Sequence, residues 1–199
     1  MSRASTPELL TLHAVRLLGV GDEQAIADRF ALDLASTKEL LLDHQAFGWI
    51  SWSQFADIGG WSLTESGRAE NERGLAAELG SDADTVSTAY SAFLPLNGRL
   101  QAACTQWQLK PAPGDAMAFN DHTDPAWDQA VLDELAAIGQ ELTPLATQLT
   151  ATLDRFAGYD TRYTRAHQAG CVDSTTVDSC HRVWFELHED LIATLGVRR

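Results

Sequence analysis

The sequence predicts a mainly α protein with one small β-hairpin in its first third. Three observations carry this. Capping residues followed by helical apolar spacing recur, as at Thr6-Pro7-Glu8, Asp22-Glu23-Gln24 and Asp124-Pro125. One aromatic, β-branched stretch, Trp49 to Phe55, is followed by glycines and a short return, Trp61 to Leu63. Beyond Thr85, apolar residues keep a helical period and no strand pattern returns.

The first helix is expected from Thr6 or Pro7 to Leu18, with Leu9, Leu10, Val15, Leu17 and Leu18 on its apolar face. Gly19 and Gly21 end it. A second helix starts at Asp22, with Glu23 and Gln24 in its first turn, and carries Ile26 and Phe30; Ala31-Leu32-Asp33 is the turn after it. The third helix runs from about Asp33 to Phe47, and Gly48 suits its left-handed cap. Asp57-Ile58-Gly59-Gly60 is the expected hairpin turn. Thr64 then caps a helix reaching about Leu79, with Gly67 early in it. Gly80 to Asp84 is polar and lacks large apolar groups, so it marks a boundary between domains 1–80 and 81–199.

In the second part, a helix is expected from Thr85 to about Leu109, bent or split by Pro95 and Gly98. A loop rich in Pro, Gly and Asp fills Lys110 to Asp124. The next helix starts at Pro125, is broken or kinked at Pro144, and continues as an apolar stripe to Gly158. Tyr159 to Ala169 reads as a short helix. Asp178 or Ser179 opens the last one, which ends at Gly196.

The balance of 45% apolar and 21% charged residues over 199 residues is that of a globular chain with a core of its own. The net charge of −14 repels nucleic acid at long range and gives no attraction to anionic membranes. Three cysteines at long spacings suggest free thiols in a reducing compartment, and a cytoplasmic location follows as the expectation. Leu9 to Val20 is too short and too interrupted to span a bilayer.

Three helices, a two-stranded ribbon and a following helix make the order of a winged helix-turn-helix, a module that places its third helix in the DNA major groove. The first 75 or so residues resemble winged-helix transcription regulators of the MarR and PadR kind. Leu63-Thr64-Glu65-Ser66-Gly67-Arg68 after a glycine-bearing ribbon carries the resemblance. So do Ile26-Ala27-Asp28-Arg29-Phe30, Leu40-Leu41-Leu42 and Phe47-Gly48-Trp49-Ile50. The resemblance implies that Ser36, Thr37, Lys38, His44 and Gln45 meet base edges. It implies that the wing near Gln54, Asp57 and Gly59 lies over a phosphate strand. Arg16, Arg29 and Arg68 are the arginines available to cluster on phosphates. The sequence departs from such families in charge: Met1 to Gly80 holds six Lys and Arg against twelve Asp and Glu. The wing from Trp49 to Leu63 has no Lys or Arg at all.

In the second part, Trp107, Phe119, Trp127, Tyr163 and Trp184 are candidates to line a small-molecule pocket, with His122, His181 or Glu186 orienting a ligand. The equally available alternative is that the histidines are satisfied core residues. His181, Trp184 and His188 share a helix face, but seven residues part the imidazoles by about 10 Å, too far for one zinc. No metal and no cofactor is therefore expected. Catalysis has little support: GxSxG, P-loop and HExxH patterns are absent.

The expected function is a DNA-binding regulator acting on double-stranded DNA, with a helical part that forms a homodimer, binds a small effector, or both. The alternative is a winged-helix adaptor that docks a protein partner through an aromatic wing (Trp49, Trp52, Phe55, Trp61). No membrane association is expected.

Overall fold

The computed structural model describes residues 2–55 and 58–197. The expected turn residue Asp57 lies outside them. The fold is mainly α with one two-stranded antiparallel hairpin among the described residues. Its first part runs α1 (Pro7–Leu18), α2 (Glu23–Arg29), α3 (Leu34–Ala46), β1 (Ile50–Phe55), β2 (Ile58–Leu63) and α4 (Glu65–Leu79). Then come α5 (Ala83–Gln108), α6 (Pro125–Thr152), α7 (Tyr159–Gln168) and α8 (Cys180–Leu195). No helix among the described residues is long and apolar enough to cross a membrane.

Side-chain caps start the first four helices. Thr6, Asp22, Asp33 and Thr64 each accept a hydrogen bond from the backbone N–H three residues on. Each satisfies a donor that the helix cannot, a gain of about 1 kcal/mol apiece. Strand β2 starts earlier than the sequence suggests. Gly59 and Gly60 pair with Gln54 and Ser53 instead of forming the turn. The reason is space: a Cβ on Gly60 would lie 2.6 Å from Val20 Cγ1 and 3.0 Å from Gly21 N. The glycine lets the α1–α2 connection lie against β2, where Gly21 and Trp61 exchange two backbone hydrogen bonds of 3.2 and 2.8 Å. Gly21 thus extends the ribbon as well as following α1.

The described chain divides into two compact units. One is Met1–Asp84 with Thr152–Arg155 and His188–Arg199, and the other is Thr85–Ala151 with Phe156–Leu187. In the first, Leu12, Ala14, Val15, Ile26, Leu41, Ile50 and Trp61 form a buried cluster, with Leu18, Phe30, Trp49 and Leu63 packed on it. In the second, Phe93, Leu100, Leu135, Ile138, Phe156, Tyr159, Tyr163 and Trp184 are fully or almost fully buried. Helices α5 and α6 pass through Pro95 and Pro144 without interruption. A proline removes one backbone hydrogen bond and costs about 3 kcal/mol. Burial of Phe93 and Leu96 around the first, and of Leu142 and Ala146 around the second, offsets that loss.

Helix α1 is buried on more than its apolar stripe, because His13 and Arg16 enter an ionic cluster. His13 Nε2 lies 3.1 Å from Asp190 Oδ1, and its Nδ1 lies 3.3 Å from Asn71 Oδ1. Arg155 pairs with Asp190 and donates to Glu78 at 3.0 Å and to Thr194 at 2.7 Å. Burial pushes His13 below the usual imidazole range against the pull of Asp190. Burial alone would raise the Asp190 carboxyl, but Arg155 and His13 hold it well below the usual carboxylate range. His44 is pushed down by burial as well.

All three groups release protons more readily folded than unfolded. Their stabilisation is complete above the unfolded values, about 6.5 for histidine and about 3.9 for aspartate, and is lost as pH falls. Thermal midpoints should hold from pH 8 to 7, decline below about 6.5, and fall more steeply below about 4. His13→Gln should flatten the upper part of that decline. An unchanged slope between pH 6.5 and 5 in this variant would remove His13 from the account.

Candidate functional site

Helix α3 and the hairpin carry most of the residues expected to meet a target. Of the five residues expected on the outer face of α3, Ser36, Lys38 and Gln45 are exposed. Thr37 and His44 are not: both are buried, so neither is placed to meet a base edge. Thr37 Oγ1 donates to the Asp33 carbonyl at 2.8 Å, in the first turn of its own helix. His44 Nε2 donates to the Glu8 carbonyl at 3.1 Å, which ties α3 to α1. The face left outside includes Glu39 and Asp43, and two large apolar groups, Leu42 at 61% and Phe47 at 65% exposure. Lys38 is the one basic residue in α3 besides His44.

The arginines do not converge on this face. Arg16 is 7% exposed, with its guanidinium 2.9 Å from Glu189 and 3.0 Å from Glu72. Its charge is taken up by carboxylates, so it is not available to a phosphate. Arg68 is exposed but lies 3.6 Å from the same Glu189. Arg29 is half-buried, its guanidinium 4.5 Å over the Phe30 ring. On the hairpin, Gln54 is exposed opposite Gly59, and a Cβ on Gly59 would meet Trp52 at 2.9 Å. Trp52 is 43% exposed and packs edge-on against buried Trp61 at 5.3 Å, so the ribbon's aromatics are partly core.

Between α1, α3 and α4 runs a half-open groove of about 330 Å³. Leu9, Leu12, Leu40, Phe47 and Trp49 supply its apolar wall, and Glu8, Asp43 and Glu70 its charge. Phe47 and Trp49 stack with ring centres 4.7 Å apart, and His44 lies 5.4 Å from Trp49. None of this was legible as a site, because its groups come from three helices and look like ordinary surface one by one.

The chain matches no protein-family model, no curated protein and no solved structure.

The pocket expected in the second unit is assembled only in part. Trp107 and His122 rings lie 4.6 Å apart. His122 has a left-handed backbone (φ 56°), and its Nδ1 is 3.0 Å from Asp128. Asn120 donates to the Trp107 carbonyl at 3.0 Å and to Asp128 at 2.8 Å. Trp127 donates to the Gln106 carbonyl at 2.8 Å, next in sequence to Trp107. These bonds tie down the 110–124 loop. Trp184 is elsewhere, in the bundle core, stacked on Phe93 at 4.7 Å and bonded to Asn97 at 3.0 Å. His181 is exposed, and His188 belongs to the first unit. A hollow of about 220 Å³ in this unit takes Tyr163 from the expected set and is otherwise lined by residues outside it, among them Leu135, Gly139 and His167. Burial pushes the Cys104 thiol up to about 11 and the Cys180 thiol up to about 12, so both stay protonated and poorly nucleophilic.

Proposed function

We propose that the protein is a regulatory or adaptor protein that uses its winged-helix-type module to dock a protein partner. The observation that carries this is the outer face of α3, which presents Leu42 and Phe47 beside Glu39 and Asp43. Such a face favours a partner with apolar side chains set among basic ones. A duplex would need phosphate contacts here, and each needs a cation or an N–H donor. Lys38 and Arg68 are exposed cations, but Arg16 is held by Glu72 and Glu189.

Direct DNA binding is the second reading. It rests on Ser36, Lys38 and Gln45, which are exposed on one helix and can read base edges. Fluorescence anisotropy with labelled genomic fragments at about 50 mM salt separates the two. The docking reading expects no saturable binding at micromolar protein. It also expects cross-linking in lysate to capture a partner that Leu42→Asp and Phe47→Asp both lose. Saturable DNA binding abolished by Lys38→Glu would replace it with gene regulation by direct contact.

A further inference from the structure

We propose that Cys171 and Cys180 form a reversible disulfide when the protein meets a peroxide, closing the 172–179 loop onto the start of α8. The proposal is independent of what docks on the outer face of α3.

Cys104, Cys171 and Cys180 stand far apart in sequence and come together in the second unit. The Cys104 and Cys171 thiols both act electrostatically on Cys180. Backbone geometry singles out one pair. The Cys180 N–H donates to the Cys171 carbonyl at 2.9 Å, and the next N–H, of His181, donates to the Val172 carbonyl at 2.9 Å. These are first-turn donors of α8 that the helix itself leaves unmatched. A direct N–H···O=C bond holds the Cα atoms of its two residues about 5–6 Å apart, inside the range of about 4.4–6.8 Å that a disulfide needs.

The chain between the two cysteines is tied to three helices. Gln108 on α5 donates to Asp173 at 2.9 Å, Arg162 on α7 pairs with Asp178 at 2.8 Å, and Arg182 on α8 donates to the Thr175 carbonyl at 2.9 Å. The Cys171 N–H donates to the Ala166 carbonyl at 2.9 Å and fixes the near end. Little conformational freedom is left for a cross-link to remove from the folded loop, whereas the unfolded chain loses much.

Exposure assigns the two roles. Cys171 is half-buried and within reach of solvent, whereas Cys180 is 0% exposed. The Cys171 thiolate attacks one peroxide oxygen, the O–O bond breaks, and Cys171 becomes a sulfenic acid with loss of water. The Cys180 sulfur then attacks the sulfenic sulfur. The S–S bond forms, the S–O bond breaks, and the Cys180 proton leaves with the hydroxide as a second water. Two thiols lose two electrons and one hydrogen peroxide takes them up. Burial makes the Cys180 thiol a slow nucleophile, but closeness stands in for reactivity, and the N-terminus of α8 favours the attacking thiolate. The Tyr163 hydroxyl gives its proton to the Leu135 carbonyl at 3.1 Å, so towards the Cys180 thiol it is an acceptor and fixes where the sulfur sits.

The test is treatment of the reduced full chain with hydrogen peroxide, followed by thiol counting and a tryptic map without reduction. Cys171 and Cys180 share the tryptic peptide that lies between Arg165 and Arg182. Free thiols should fall from three to one, that peptide should lose two hydrogens, and dithiothreitol should restore both. The oxidised chain should melt about 5–10 °C higher, the gain expected from cross-linking a loop of this length. Cys171→Ser, at a half-buried position, should keep both remaining thiols free under the same treatment. Cys180→Ala should strand the oxidation on Cys171, where dimedone traps the sulfenic acid. Three thiols surviving the peroxide, a bond to Cys104, or an oxidised chain that melts no higher than the reduced one would each overturn the site.

Discussion

Asp190→Ala should lower the stability of the protein by about 3–5 kcal/mol, the usual cost of removing one partner from a buried ion pair. Asp190 is 0% exposed, and so is the Arg155 side chain it faces. The substitution leaves Arg155 with Glu78 at 3.0 Å and Thr194 at 2.7 Å, and leaves His13 Nε2 without its carboxylate. Residual burial cannot compensate, because a guanidinium taken out of water loses several kcal/mol of hydration. For a chain of 199 residues the thermal midpoint should drop by about 6–20 °C. Asp190→Asn keeps the shape and should cost less. A midpoint for Asp190→Ala within about 2 °C of the wild type would mean that water, not Asp190, solvates Arg155.

That cluster also marks the limit of what the chain reveals before folding. The caps at Thr6 and Thr64 and the helix starts near Asp22 and Asp33 were legible because a capping side chain and its donor are three residues apart. Local chemistry of that kind also placed the hairpin and the second part's helices. Arg16, in contrast, meets Glu189 at a separation of 173 residues, and nothing near Arg16 announces it. Read locally, Arg16 is a spare cation; in the fold it is the counter-ion of two carboxylates. His44 is the same lesson on a shorter scale. Its place in α3 suggested an outer face, but the helix is turned so that His44 reaches Glu8 and Leu42 faces outward. Helical periodicity says which residues share a face and not which face is covered, especially in a helix as weakly amphipathic as α3. At Pro95 and Pro144 the helices run on without the split or break that the sequence offered beside a bend or kink. A proline's cost is local and visible, whereas the burial that outweighs it is tertiary.

Gly67→Ala and Gly98→Ala should shift stability in opposite directions, although both replace a helical glycine. Alanine is favoured over glycine inside a helix by about 1 kcal/mol. At Gly98, in the exposed middle of α5, a Cβ meets nothing within 4 Å, so that gain is expected nearly whole. At Gly67 the same Cβ would lie 1.8 Å from the Trp49 carbonyl oxygen and 2.6 Å from its carbon. Those atoms are backbone and already committed: the Trp49 carbonyl accepts the Thr64 N–H at 2.9 Å. Thr64 Oγ1 also lies 2.7 Å from the Gly48 carbonyl, and Ser66 donates to the same oxygen at 2.9 Å. The Thr64-Glu65-Ser66-Gly67 stretch is thus a clasp holding the end of α3 and the start of β1 against α4. Opening it by the ångström or more that alanine needs breaks several of these bonds together. The expected net loss is about 2–3 kcal/mol, overpacking against backbone being at the costly end of its range. Urea unfolding of the two variants reads both signs in one experiment. A stabilised Gly67→Ala would show that α4 can slide away from Trp49 at little cost, and that the motif is a helix start and not a clasp.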